Sequence, residues 1–166
     1  MRVILAMIAV LPLAGLRGAE PARPNIVLFF SDDHAAQAIG AYGSEVGRTP
    51  NIDRLARDGA VFENCFCVNS ICVPSRACVL TGRYSHANGV RTNAEALPEG
   101  SVTFPRLLRE AGYATAIIGK WHLKTDPEGF DHWCVLPGQG AYFDPAMIEN
   151  GARQKCPGYV SEVITE

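Results

Sequence analysis

The sequence predicts an α/β protein, because two kinds of segment alternate along the chain. Short unbroken apolar runs are typical of strands buried in a parallel sheet, and other segments repeat their apolar residues at helical spacing. The clearest runs cover residues 25–30 and 113–119, and the clearest helical patterns follow Thr49 and Ser101. Polar residues come directly after both runs, where open α/β sheets place their ligand sites.

The length and composition describe a globular protein. A chain of 166 residues can form one domain with a hydrophobic core. Its 48% hydrophobic and 19% charged residues argue against disorder. The formal net charge of −2 gives no reason to expect nucleic acid or an anionic membrane as a partner.

Residues 1–19 have the pattern of a secretory signal peptide. A positive start at Arg2 precedes an apolar run that ends at Leu16, and small residues lead up to Ala19. We therefore expect an exported protein, periplasmic or secreted, with no stable membrane anchor and a mature region of residues 20–166. The alternative is a buried N-terminal helix or strand.

The first apolar run, residues 25–30, predicts a buried strand that leads into Asp32 and Asp33. Adjacent carboxylates repel each other unless a cation joins them, and their hard oxygens suit Ca²⁺ or Mg²⁺. The alternative is a solvated turn in which Asp33 caps a short helix through residues 35–36. His34 has no partner in this pattern and is expected to be a loop residue.

A helix is predicted from Thr49, as the N-cap, to a stop at Gly59. Pro50 suits its first position, and one face is apolar, formed by Ile52, Leu55 and Ala56. Residues 60–66 then predict a short strand.

A second helix is predicted around Cys72, with Pro74 near its start and Gly82 after its end. Cys72 would lie at the helix N-terminus, where unpaired N–H groups and the helix dipole favour negative charge. Arg76 is four residues further and shares its face. A nucleophile, a cation and a helix N-terminus thus converge at one point.

The polar, glycine-rich stretch at residues 86–89 predicts a loop, and an amphipathic helix follows over residues 104–112. The run at 113–119 predicts another buried strand. From residue 124 onward, glycines and prolines predict mostly loop. A last helix is predicted to begin near Tyr159, with Ser161 as its cap, and the sequence stops within it.

The strand at 113–119 leads into Lys120-Trp121-His122. In extended chain, alternate side chains share a face, so Lys120 and His122 would point one way and Trp121 toward the core. A lysine that binds an anion beside a histidine that moves a proton is a reasonable active-site pair. The alternative is a surface lysine and a half-buried histidine.

The six cysteines leave two readings open. An exported protein with an even number of cysteines can form disulfides, whereas free cysteines are often small buried hydrophobes, our expectation for Cys78. A structural zinc site is disfavoured, because the cluster from Cys65 to Cys78 has no C-x-x-C pair and contains no histidine.

Four segments, in order along the chain, resemble the motifs of the type I sulfatases. They are residues 25–33, residues 49–56, the signature Cys72-Val73-Pro74-Ser75-Arg76 with Leu80-Thr81-Gly82-Arg83, and Gly119-Lys120-Trp121-His122-Leu123 followed by Gly129-Phe130-Asp131. The resemblance implies an alkaline-phosphatase-like sandwich with a mostly parallel central sheet, here truncated to its N-terminal portion.

The resemblance also implies a modified nucleophile. A maturation enzyme would oxidise Cys72 to formylglycine, whose hydrate attacks sulfur with one hydroxyl and displaces the substrate alcohol. The second hydroxyl then releases sulfate, a step for which a thiol has no equivalent group. Asp32 and Asp33 would bind Ca²⁺ together with residue 72, lowering the cost of its alkoxide.

The remaining roles follow from the same resemblance. Arg76 would hold residue 72 and the metal site in register, Lys120 would bind sulfate oxygens, and His122 would contact the formylglycine hydroxyl or assist its breakdown. Sulfatases take further metal and sulfate ligands from later motifs that have no counterpart here. We therefore expect the isolated chain to be inactive.

Residues 129–133 and 136–140 resemble bacterial sulfatases that act on sulfated glycans such as N-acetylglucosamine-6-sulfate. One rival is a phosphonate or phosphate ester hydrolase of the same superfamily, and another is a non-catalytic binding module or pseudoenzyme. A cysteine phosphatase is excluded, because its loop needs arginine six positions after the nucleophile, where this chain has Cys78.

Overall fold

The predicted α/β architecture is confirmed in the computed structural model, which describes residues 23–165. The chain divides into two units, one up to His34 and one from Ala35 onward. The predicted signal peptide lies outside the described residues. Within the part that the structure describes, no helix is long and apolar enough to cross a membrane.

In the first unit, the predicted strand at residues 25–30 is wrong. This segment has no regular secondary structure, and Phe29 is 84% exposed. An apolar sequence favours a strand, but a strand also needs a neighbour that pairs with its N–H and C=O groups.

The second unit contains five α-helices and two short 3₁₀ turns in its described part. The α-helices are α1 (Pro50–Asp58), α2 (Cys72–Thr81), α3 (Ser85–Asn88), α4 (Phe104–Glu110) and α5 (Val160–Thr165). The helices predicted after Thr49, around Cys72, after Ser101 and near Tyr159 are confirmed. The single turn of α3 lies where a loop was predicted, and Ser161 lies inside α5 instead of capping it.

Three details of the helix predictions differ in the structure. Thr49 occupies the N-cap of α1, but its hydroxyl donates to Asp53 Oδ1 (2.8 Å) and accepts from the Gly40 N–H (2.8 Å) instead of capping the helix. Asp33 caps no helix either, because the first 3₁₀ turn follows Ala35 and has no side-chain cap. The apolar face of α1 is solvent-exposed, with Leu55 61% accessible.

Four strands form one mixed sheet in the order β1 (Ala116–Lys120), β2 (His132–Leu136), β3 (Ala146–Glu149) and β4 (Ala152–Lys155). β1 and β2 are parallel, whereas the two following pairs are antiparallel. The strand before Lys120 is confirmed, but the strand predicted at residues 60–66 is irregular and exposed. The loop predicted after residue 124 contains three strands.

The hairpin between β3 and β4 had a readable signal. Asn150 and Gly151 both have positive φ, 44° and 89°, which is the requirement of the tight type I′ turn. An Asn-Gly pair between short strands is the strongest local hairpin signal, and the breakers around it led to a loop prediction instead.

Two hydrophobic clusters lie on opposite faces of the sheet. Along β2, Trp133 and Val135 pack with the cluster that contains residues of α2, whereas Cys134 and Leu136 pack with Val160 of α5. Since alternate residues of a strand point to opposite faces, helices cover both sides. The carboxyl ends of β1 and β2 therefore lie in the middle layer of a sandwich.

Candidate active site

Helix α2 places Cys72 at its first residue. The preceding Ile71 has extended backbone (φ −90°, ψ 143°), and Gly82 ends the helix with a left-handed φ of 63°. The Gly82 N–H donates to the Cys78 carbonyl at 2.9 Å, which closes the C-terminus. The predicted position of Cys72 at a helix N-terminus is therefore confirmed.

Two asparagines hold this N-terminus from outside the helix. Asn69 Oδ1 accepts from the Ile71 N–H at 3.1 Å, and Asn93 Oδ1 accepts from the Val73 N–H at 3.0 Å. Sequence reasoning missed Asn93, because it lies twenty positions beyond Val73 and no local capping pattern connects them. One of the N–H groups that an oxyanion was expected to use is thus already occupied.

Lys120 lies beside Cys72, and Arg76 lies beside the backbone of Lys120. Lys120 ends β1, and its ammonium donates to Cys72 Sγ with an Nζ–Sγ distance of 3.4 Å. The Arg76 guanidinium donates to the backbone carbonyl of Lys120, which fastens α2 to the end of the strand. The structure therefore brings a nucleophile and two cations together at the carboxyl edge of the parallel pair.

Trp121 and His122 behave differently from each other. Trp121 is buried as predicted, with Phe130 edge-on at 6.1 Å and its indole N–H donating to the Thr125 carbonyl at 2.6 Å. His122 is half-buried and has a left-handed φ of 59°. The chain is not extended there, so strand alternation does not place His122 on the face of Lys120, and that argument was wrong.

Gln139 is a neighbour of Lys120 that sequence reasoning missed. Its side-chain Oε1 accepts from the Lys120 ammonium at 2.7 Å. Gln139 lies in a tight turn after β2, where the Gly140 N–H donates to the Pro137 carbonyl at 3.1 Å and Gly138 has a φ of 58°. The Pro-Gly-x-Gly sequence indicated a turn, but the preceding strand had to be recognised before that turn could be placed beside Lys120.

The predicted metal ligands, Asp32 and Asp33, belong to the first unit, and both are exposed. Asp33 has a left-handed φ of 51°. Adjacent carboxylates fit Ca²⁺ in donor type, although two residues supply fewer than the roughly six to eight oxygens that it takes. Across residues 23–165, no group of three or more His, Cys, Asp or Glu side chains is arranged to hold a metal ion.

Two side chains near strand β2 and away from Cys72, those of Asp131 and Cys134, have clearly shifted pKa values. The backbone N–H of Thr115 lowers the pKa of Asp131, and the Arg109 guanidinium adds to this effect. Burial raises the pKa of the Cys134 thiol, and the charges of Glu149 and Cys156 raise it further. All six cysteines have free thiols in the structure, and Cys78 is buried as expected.

Comparison with known proteins gives a consistent result. The family model described as "Sulfatase" matches residues 24–160. The N-acetylglucosamine-6-O-sulfatase of Bacteroides thetaiotaomicron is 46% identical over 165 residues, which cover 98% of this chain and 30% of that protein. The N-acetylgalactosamine-6-sulfatase of Homo sapiens is 39% identical over 164 residues, covering 87% of this chain and 30% of the relative.

A solved structure shares the same fold. The structure of BT4656 in complex with its substrate D-glucosamine-2-N,6-O-disulfate has a TM-score of 0.84 and 49% sequence identity. The match covers 86% of this chain and 30% of that one. The chain therefore spans about a third of the length of the relatives that it matches.

Proposed function

The chain belongs to the sulfatase family, and we propose that residues 20–166 are the N-terminal part of a catalytic domain that hydrolyses sulfate esters of glycans. Residues 1–19 would be the signal peptide of an exported protein. One observation carries this proposal: Cys72 begins α2 with the Lys120 ammonium 3.4 Å from its sulfur. A nucleophile next to a fixed cation is what attack on an anionic ester needs.

In this proposal, Sγ of Cys72 stands for an oxygen of the hydrated formylglycine. As a net reaction, the side chain takes an oxygen atom from water to form the carbonyl on Cβ, releases its sulfur as hydrogen sulfide and gives up two electrons and two protons. The electrons go to an oxidant supplied with the maturation enzyme. The modified residue then provides a hydroxyl nucleophile and a second hydroxyl for sulfate release, which a thiol does not.

The neighbouring residues have separable tasks. The Lys120 ammonium binds sulfate oxygens, since it already lies within hydrogen-bonding distance of the residue 72 side chain. Arg76 fixes the distance between α2 and β1 through the Lys120 carbonyl. His122 follows two residues after Lys120, and we propose that it contacts the residue 72 hydroxyl or assists breakdown of the sulfated form.

Asp32 and Asp33 are the residues proposed to hold Ca²⁺, together with residue 72. Their carboxylate oxygens suit this hard cation. When bound, Ca²⁺ would supply positive charge that stabilises the deprotonated nucleophile.

We propose N-acetylglucosamine-6-sulfate, or a glycan that contains it, as the substrate. The support is the bacterial relative named for this activity, at 46% identity, and the BT4656 complex with a 6-O-sulfated glucosamine. The human relative is named for the galactosamine sugar, so the choice between these sugars needs a direct measurement.

The test is sulfate release by the complete gene product, coexpressed with a sulfatase-maturing enzyme. We expect calcium-dependent hydrolysis of N-acetylglucosamine-6-sulfate, abolished by Cys72→Ala and retained in the exposed-cysteine control Cys65→Ala. Faster hydrolysis of a matched phosphonate ester would favour the rival hydrolase, and no hydrolysis of either ester would favour the binding module. Residues 1–166 alone are expected to be inactive.

A further inference from the structure

Lys120 constrains how Gln139 is oriented. An ammonium group donates hydrogen bonds and accepts none, so Gln139 pairs with it through Oε1, at 2.7 Å. The two N–H donors on Nε2 therefore point away from the lysine. Within residues 23–165, Nε2 makes no hydrogen bond, and the Gln139 side chain is solvent-exposed.

The backbone on both sides fixes where this amide lies. Lys120 pairs with Leu136 at the ends of the parallel strands, and the turn that carries Gln139 starts at the next residue. Gly138 supplies the left-handed φ of 58° at the second turn position, a conformation typical of a II′ turn. At Gly140, a Cβ would lie 2.9 Å from both methyl groups of the buried Leu136.

We propose that Gln139 is a positioning and specificity-determining residue for the sulfate ester, an inference that rests on the proposed function. Its Oε1 holds the Lys120 ammonium next to residue 72, and its Nε2 donates to an oxygen of the substrate's sulfate group. The lysine, the amide and residue 72 thus form a chain of contacts, with Nζ 2.7 Å from Oε1 and 3.4 Å from Sγ.

Two substitutions separate these two tasks. Gln139→Ala removes both the acceptor for Lys120 and the donors for sulfate. Gln139→Glu keeps an acceptor for the ammonium, but it replaces the donors with a negative charge that repels the sulfate group. Gln154→Ala is the matched control, because Gln154 lies on β4 and pairs with Glu149 instead.

The positioning task is measured by proton–nitrogen correlation spectra of the lysine ammonium groups in the 166-residue chain. The chain has three lysines, Lys120, Lys124 and Lys155, so the signals are easily assigned. Slow proton exchange at Lys120 is expected in the wild type, Gln139→Glu and Gln154→Ala, and fast exchange in Gln139→Ala. Lys124, which donates to the Ala94 carbonyl at 2.8 Å, should be unchanged throughout.

The substrate task is measured by kinetics of the complete gene product. Loss of a hydrogen bond to a charged group predicts about a 10- to 100-fold fall in kcat/KM for Gln139→Ala. Gln139→Glu should raise KM by at least as much, although its Lys120 signal is protected. Gln154→Ala should match the wild type.

The outcomes are distinguishable. An unchanged Lys120 signal in Gln139→Ala overturns the positioning task, and a wild-type KM in Gln139→Glu overturns the donor task. If the wild type hydrolyses no sulfate ester, the proposed function fails whatever the spectra show. If the 166-residue chain does not fold, the kinetics alone decide. A wild-type kcat/KM in Gln139→Ala overturns the proposal, and the reduced kcat/KM given above supports it.

Discussion

Gly129→Ala tests how the segment after the Lys120 strand is held in place. Gly129 has a φ of 85°, and a Cβ there would lie 2.8 Å from Arg106 N and 2.9 Å from its Cα. These are backbone atoms in the first turn of α4, so they cannot rotate away. The next residue, Phe130, packs edge-on against Trp121, so a shift at Gly129 would reach the core beneath Lys120.

Gly151→Ala is the matched control, because its φ is 89° and a Cβ would have no atom within 4 Å. Both variants place alanine in the left-handed region, at a cost of about 1–2 kcal/mol. The collision with Arg106 adds about 1–3 kcal/mol for Gly129 alone, the usual range for overpacking. Urea unfolding should therefore rank Gly129→Ala below Gly151→Ala in stability, and equal losses would refute the close-packing argument.

Three further predictions concern capping and charge. Asn93→Ala should reduce the free energy of unfolding by about 0.5–2 kcal/mol, because the Val73 N–H loses its partner; thermal unfolding measures this, and no loss would contradict the capping contact. The pKa of Asp131 is lowered, so Asp131→Asn should be less stable than the wild type at neutral pH, and this difference should shrink only as the pH falls below the ordinary pKa of 3.8. Urea unfolding at several pH values measures this, and a difference that stays unchanged below pH 3.8 would be evidence against it. Because the pKa of Cys134 is raised, its alkylation by iodoacetamide near neutral pH should be slow, and Glu149→Gln should speed it; equal rates would remove Glu149 as a cause.

The helices were readable from sequence because their signals are local. Pro50 and Pro74 mark helix starts, and Gly82 ends α2 with the backbone conformation that glycine accepts most easily. Helical spacing predicted that Arg76 shares the face of Cys72, and the end of an apolar run marked Lys120 as a candidate site residue. The placement of Lys120 beside residue 72 was expected only from the resemblance to the sulfatases.

The sheet was harder to predict because pairing is not local. Residues 25–30 are more apolar than β4, which contains Arg153 and Lys155, yet β4 forms a strand paired with β3 and residues 25–30 have no regular secondary structure. A tight turn at Asn150 brings β4 to its neighbour, and that proximity outweighs its polar composition. Apolarity alone therefore predicted a strand at residues 25–30 that is not formed, and it missed the strand β4.

The contacts that complete the candidate site also depend on long-range placement. Asn93 reaches the Val73 N–H, and Gln139 reaches the Lys120 ammonium, from loops whose sequences contain no sign of either partner. For His122 the sequence argument was wrong at short range. Its left-handed φ breaks the alternation of side chains that the argument assumed for an extended strand.

The proposal that Cys72 is the precursor of the nucleophile is tested most directly by determining the chemical state of residue 72. Trypsin cleavage after Arg57 and Arg76 gives a peptide of residues 58–76 that also contains Cys65 and Cys67 as internal controls. After alkylation of protein from a host that matures sulfatases, mass spectrometry should show two alkylated cysteines and an aldehyde at residue 72. Three alkylated cysteines in that peptide would contradict the proposal that Cys72 is the precursor of a formylglycine nucleophile.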